Sequence, residues 1–155
     1  MRRSSRPGRS AAASETGSAS LEFITAGLVL LVPLVYLVLA LAAVQGGAMA
    51  VEGAARQAAR VYVQAPDEDD ASERALRAVH VGLADYGIPA DAASVRIDCE
   101  PDPSGCLTRQ GVVVVTVRIL VPLPLVPDLL SLRGAAVIPI EATATQTVSR
   151  FWGAG

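Results

Sequence analysis

The chain has no lysine, one histidine and only 4% aromatic residues among 155. Each shortage excludes something. With His80 alone, and no Ser-His-Asp order in a supporting context, nucleophilic catalysis of the triad kind has no components. No Gly-rich phosphate loop is present. His80 lies far in sequence from Cys99 and Cys106, and two cysteines do not complete a metal site. The run Asp67-Glu68-Asp69-Asp70 lacks the glycine and closing glutamate of a calcium loop. No catalytic residue, metal site or cofactor is expected, and the chain does not read as an enzyme. With so few aromatics, a folded core must be built from Val, Ile, Leu and Ala. Missing lysine beside abundant Ala, Arg and Gly matches the composition of a GC-rich bacterial genome.

Charge is divided unevenly. Residues 1–17 carry Arg2, Arg3, Arg6 and Arg9 against Glu15, a local excess of +3, so the remainder carries −5 within a net charge of −2. An acidic main body argues against nucleic acid as a partner.

What the chain does have is one long apolar run, Phe23 to Val44, of 22 residues without a charge. Eighteen or more such residues make a candidate membrane span. At about 1.5 Å per residue the run covers about 33 Å, enough for a hydrocarbon core of about 30 Å. Short arginine-bearing flanks stay on the cytoplasmic side, which would place the N-terminus inside and the C-terminal body outside. A secretory signal is the rival reading. Its apolar region spans about 7–15 residues and ends at small ones, whereas Ala40-Leu41-Ala42 lies deep inside this longer run. In an exported body, Cys99 and Cys106, flanking the turn-rich Glu100–Gly105, read as a disulfide. Two free thiols is the reading if the body faces a reducing compartment.

Before the run stands Gly17-Ser18-Ala19-Ser20-Leu21-Glu22-Phe23. A carboxylate at the mouth of an apolar helix is costly in lipid unless hydrated or paired. One use for it is modest: negative charge near the positive end of the helix dipole. The other requires cleavage after Gly17. Ser18 then becomes residue one, its new amine a cation, and Glu22 a partner for such an amine in its own chain or a neighbour's.

Gly17, Glu22 at the fifth position after it, and a long apolar helix together resemble a class III prepilin signal. More narrowly, the stretch from Gly17 to Val63 resembles the TadE-like proteins, minor pilins or pseudopilins of tight-adherence pilus systems. Leu21-Glu22-Phe23, Pro33 inside the apolar run and the Ala54-Ala55-Arg56-Gln57-Ala58-Ala59-Arg60 helix carry the likeness. Gly46-Gly47 departs from it, as does the lack of an aromatic-rich stretch after the span. The resemblance implies processing between Gly17 and Ser18, an assembly role for Glu22, and as partners a prepilin peptidase, a major pilin with other minor pilins, and a membrane assembly platform, beside the lipid bilayer itself.

The organisation expected is a basic, disordered leader over 1–17, a transmembrane and projecting helix over 18–63, and a small extracytoplasmic α+β domain over 64–155. Past the membrane, alanine dominates. Gly46, Ala50, Ala54 and Ala58 recur every four residues, as do Ala43, Gly47, Val51, Ala55 and Ala59, marking faces for close helix approach. Glu52 and Arg56, and Glu73 and Arg77, are spaced to pair across one turn. A second helix opens at the acidic run, capped by Asp67 or Asp70, with Leu76, Val79, Leu83 and Tyr86 predicted as its buried face. Gly87 and Pro89 end it.

Three strands follow, predicted as an antiparallel meander. Val95, Ile97 and Cys99 alternate with polar residues. Gly111 to Val121 is the most β-branched run and the expected centre, with Val113, Val115, Val117, Ile119 and Val121 inward. The last strand runs over 136–148, with Pro139 at an edge or bulge. The apolar, proline-rich loop from Pro122 to Leu132 is either a docking surface or a cap on the core. Phe151-Trp152 is left to pack on the sheet, a partner or the membrane surface.

The function expected is that of a structural minor pilin or pseudopilin taking part in assembly of a tight-adherence-type pilus, held in the cytoplasmic membrane and able to enter a surface filament. The alternative is a single-pass anchor for an extracytoplasmic binding module.

Overall fold

The computed structural model describes residues 15–125 and 136–153. The expectations placed on the first fourteen residues of the basic leader, and on 126–135 of the proline-rich loop, lie outside the described residues. The fold is α+β: a long N-terminal helix α1 (Glu15–Tyr62), a second helix α2 (Glu68–Ala84), a single 3-10 turn (Ala90–Ala92), and strands β1 (Ala93–Glu100), β2 (Val112–Pro122) and β3 (Val137–Thr147). The strands form one antiparallel sheet in the order β1-β2-β3, the predicted meander with β2 at its centre. The chain divides into two units after Val38.

The first unit is helix. α1 is already helical at Glu15, three residues before the expected start, so Gly17 lies within its first turn. Pro33 stands inside the helix without ending it, as its place in a long apolar segment permits. Apart from half-buried Tyr36, the large apolar side chains from Leu21 to Leu41 are exposed, from 42% at Leu39 to 80% at Phe23. The helix is long and apolar enough to cross a membrane, and none of its most apolar stretch is buried.

The second unit, Leu39–Gly155, is a layered body. Its spine is the alanine-rich part of α1, where Ala50, Val51, Ala54, Ala55, Ala58 and Ala59 are all buried. The two small-residue strips meet different partners. A Cβ on Gly82 of α2 would lie 3.4 Å from Ala54, so α2 packs on the first strip at Ala54. A Cβ on Gly47 would meet Val121, Ile140 and Ile119, so the second strip takes the sheet. Small side chains let backbones approach, and the contact is made by dispersion over many close atoms.

The buried face of α2 is Ala71, Ala75, Val79 and Leu83. This corrects the predicted stripe: Val79 and Leu83 are inside, but Leu76 and Tyr86 are 42% and 48% exposed. Large side chains mark a buried face only where the opposing surface leaves room. Here it is alanine at close range, so α2 turns its own alanines inward. Asp67 caps α2, accepting a hydrogen bond from the Asp70 backbone N–H at 2.8 Å. Both expected ion pairs are present, Arg56–Glu52 at 3.2 Å and Arg77–Glu73 at 3.4 Å, with Arg74–Asp70 at 2.6 Å as a third.

β2 buries Val113, Val115, Val117, Ile119 and Val121 as predicted. On the other face Thr116 pairs with Thr143, their hydroxyls 3.1 Å apart. Pro139 sits in β3, an edge strand of the three, where a missing N–H is tolerated.

Candidate functional site

Two regions hold the residues singled out by sequence: the N-terminal flank of α1 and the β1–β2 loop. On the first, one helical turn advances about 5.4 Å, so Glu22 lies about 7.5 Å along the axis from Gly17. Leu21, Glu22, Thr25, Ala26 and Val29 line a shallow depression on the helix surface. Thr25 Oγ1 donates to the Leu21 carbonyl at 2.7 Å, which satisfies its hydroxyl within the helix. Glu22 is exposed and, among the described residues, makes no ion pair. A carboxylate is thus presented from a flank whose neighbours, Leu21, Phe23 and Ile24, are apolar and open. Chemically it can accept hydrogen bonds or balance a cation. Ser18 is helical in backbone, as is Gly17.

In the second region Cys99 and Cys106 are joined by a disulfide, with Cα atoms 5.1 Å apart. Cys99 is buried at the end of β1, directly opposite Val113. The loop it closes is ordered by its own polar groups. Asp102 accepts from the Ser104 hydroxyl at 2.7 Å and the Ser104 backbone N–H at 2.9 Å. Those two bonds, the hydroxyl first, hold the Asp102 carboxyl below the usual carboxylate range. Past the bridge, the Leu107 N–H donates to Glu68 Oε1 at 3.4 Å, tying the loop to the start of α2. The disulfide closes the β1–β2 loop, and the Leu107–Glu68 hydrogen bond ties that loop to the helical layer.

The C-terminal segment resolves the choice left open for Phe151-Trp152. Trp152 Nε1 donates to the Ala65 carbonyl at 3.0 Å, and Arg109 Nε donates to the Trp152 carbonyl at 3.1 Å. Trp152 packs on the body, while Phe151 is 71% exposed beneath the Arg150 guanidinium, 5.2 Å from its ring centre. Near Ala65 lies Tyr62, buried in the core. Burial pushes its phenol above the ordinary value of 10.0, with the Ser72 hydroxyl opposing and the Glu68 carboxylate adding to the rise.

His80 is exposed on α2. Among the described residues no three His, Cys, Asp or Glu side chains gather as a metal site would need. The two singled-out regions belong to different units, and neither contains an acid, base and nucleophile in one place. What sequence reasoning missed is structural: the roles of Gly47 and Gly82 as contact points and of Trp152 as a tie to Ala65. Gly47 lay in a recognised strip, but no local pattern names Val121 as its neighbour. The chain matches no family model, no curated protein and no solved structure.

Proposed function

We propose that the chain is a structural, membrane-inserted subunit of the minor pilin or pseudopilin kind, taking part in assembly of a tight-adherence-type pilus. One observation supports this reading above the others. α1 is a single helix whose leucines are open up to Leu41 and whose Ala50, Val51, Ala54, Ala55, Ala58 and Ala59 are the buried spine of a small body that carries a disulfide. Such a helix combines an open apolar stretch with the spine of a folded body. The Gly17–Glu22 stretch adds the processing and assembly chemistry: cleavage after Gly17 leaves Ser18 as the new terminus and its amine as a cation for a Glu22 carboxylate. The partners proposed are a prepilin peptidase, a major pilin, other minor pilins and an inner-membrane assembly platform.

The test is the mature N-terminus, read by mass spectrometry of the protein from membrane and sheared surface fractions. A chain beginning at Ser18 is expected, and Glu22→Gln should then abolish incorporation into surface material while leaving membrane insertion intact. An uncleaved chain in cells with an active prepilin peptidase leaves the other reading, a single-pass anchor carrying a binding module.

A further inference from the structure

Within the Leu39–Gly155 unit lies an apolar groove of about 530 Å³. One wall is α1 from Ala42 to Gly47; the others are the Gly87–Pro89 turn, the Ile119–Pro122 end of β2, and Tyr86. Among the described residues, none that lines it is charged. The turn is fixed by Gly87, whose φ of +69° favours glycine, and by the Ile88 N–H donating to the Leu83 carbonyl at 3.1 Å. Leu120, Tyr86 and, three residues past Pro122, Leu125 all expose large side chains.

The position of this groove along α1 says what covers it. Its helical wall starts two residues before the end of the apolar run at Val44, where Gln45 follows, and finishes three residues after it, a rise of about 7.5 Å. The headgroup layer on one side of a bilayer is roughly 5–8 Å thick. In this same unit Leu39 and Leu41, the last leucines of the run, are exposed, and Val44 is half-buried. A tyrosine, aliphatic residues and proline, with no carboxylate, suit the boundary between acyl chains and headgroups. Beside the groove, Arg118 lines a second, shallower depression with Leu120, Ser94 and Asp91, and is exposed.

We propose that this end of the body is a lipid-contacting surface: Tyr86, Ile88, Pro89, Leu120 and Pro122 sit in the headgroup zone of the bilayer that α1 crosses. The proposal rests on the membrane-inserted reading of α1.

Spin-label depth measurements test it. The full chain, with its disulfide intact, is labelled through Leu120→Cys under non-reducing conditions and placed in vesicles of equal parts phosphatidylglycerol and phosphatidylethanolamine. Val35→Cys reports the span and Thr145→Cys, exposed on the same sheet face as Leu120, the end of the sheet away from the groove; Tyr86→Cys guards against misfolding of the Leu120 variant. Relative accessibility to oxygen over a water-soluble relaxant should shift at Leu120 and Tyr86 from the aqueous value at Thr145 towards that at Val35. Aqueous values at Leu120 and Tyr86 beside a buried Val35 overturn the proposal and leave the span standing. Dipolar broadening between Leu120 labels, meaning a second copy fills the groove, also overturns it. An aqueous Val35 label overturns the membrane reading and the proposal together.

Discussion

Gly47 of α1 lies so close to Val121 of β2 that a Cβ added to the glycine would stand 2.7 Å from Val121 Cγ2 and 3.1 Å from Ile140 Cδ1. The helix and the sheet meet at a point where no side chain fits. Gly46, its neighbour, meets nothing within 4 Å. The pair therefore separates packing from helix propensity. Gly46→Ala should stabilise the body by up to about 1 kcal/mol, since alanine is the better helix former. Gly47→Ala gains the same propensity but overpacks the interface at a cost of about 1–3 kcal/mol, for a net loss. Thermal unfolding of the full chain in detergent checks this; equal effects at the two positions would show that the helix does not rest on the sheet there.

The disulfide between Cys99 and Cys106 closes a short loop. Constraining so short a loop in the unfolded chain is worth about 2 kcal/mol. The double variant Cys99→Ala, Cys106→Ala should unfold at correspondingly lower denaturant, and reductant should lower the midpoint of the native chain but not of the variant. A midpoint indifferent to both would mean the loop is held by the Asp102 and Glu68 bonds alone.

Trp152 is tied to Ala65 through its indole N–H. Trp152→Phe keeps an aromatic ring but leaves the Ala65 carbonyl without that donor, a loss of about 1 kcal/mol. Exchange of the amides at the end of α1 should quicken in the variant. Unchanged exchange there would place the tail off the body.

Tyr62 carries a pH dependence. Its phenol is raised in the folded protein by burial, so the folded state holds a proton that the unfolded chain releases near pH 10.0. Stability from this source is complete below that pH and falls as pH rises through the folded value. The stability difference between the native chain and Tyr62→Phe should therefore shift in favour of the variant above pH 10.0, with no change between neutral pH and 9. A difference constant across the range would mean Tyr62 ionises as freely folded as unfolded.

Much of this architecture is local and so was readable along the chain. A 22-residue uncharged run, an alanine-rich continuation, a run of four acids before a helix and a stretch of alternating valines each carry their own period. Those periods led to α1, α2 and the central strand, to Asp67 as one of two candidate caps, and to the inward face of β2. The cysteine pair was legible because a turn brings its two ends together. The Gly17–Glu22 motif is likewise a matter of spacing alone.

Tertiary structure decided which surfaces meet. Side-chain size alone would bury Leu76 and Tyr86, yet α2 turns Ala71 and Ala75 inward because the facing helix is itself alanine. The two strips on α1 look alike in sequence; only folding sends one to α2 and the other to the sheet. Trp152 could not be assigned to Ala65 across 87 residues by any local pattern. Hydrophobic periodicity states that a face must be covered. What covers it depends on distance and shape between segments remote in the chain, and close packing, which tolerates neither a void nor an overlap, makes that choice.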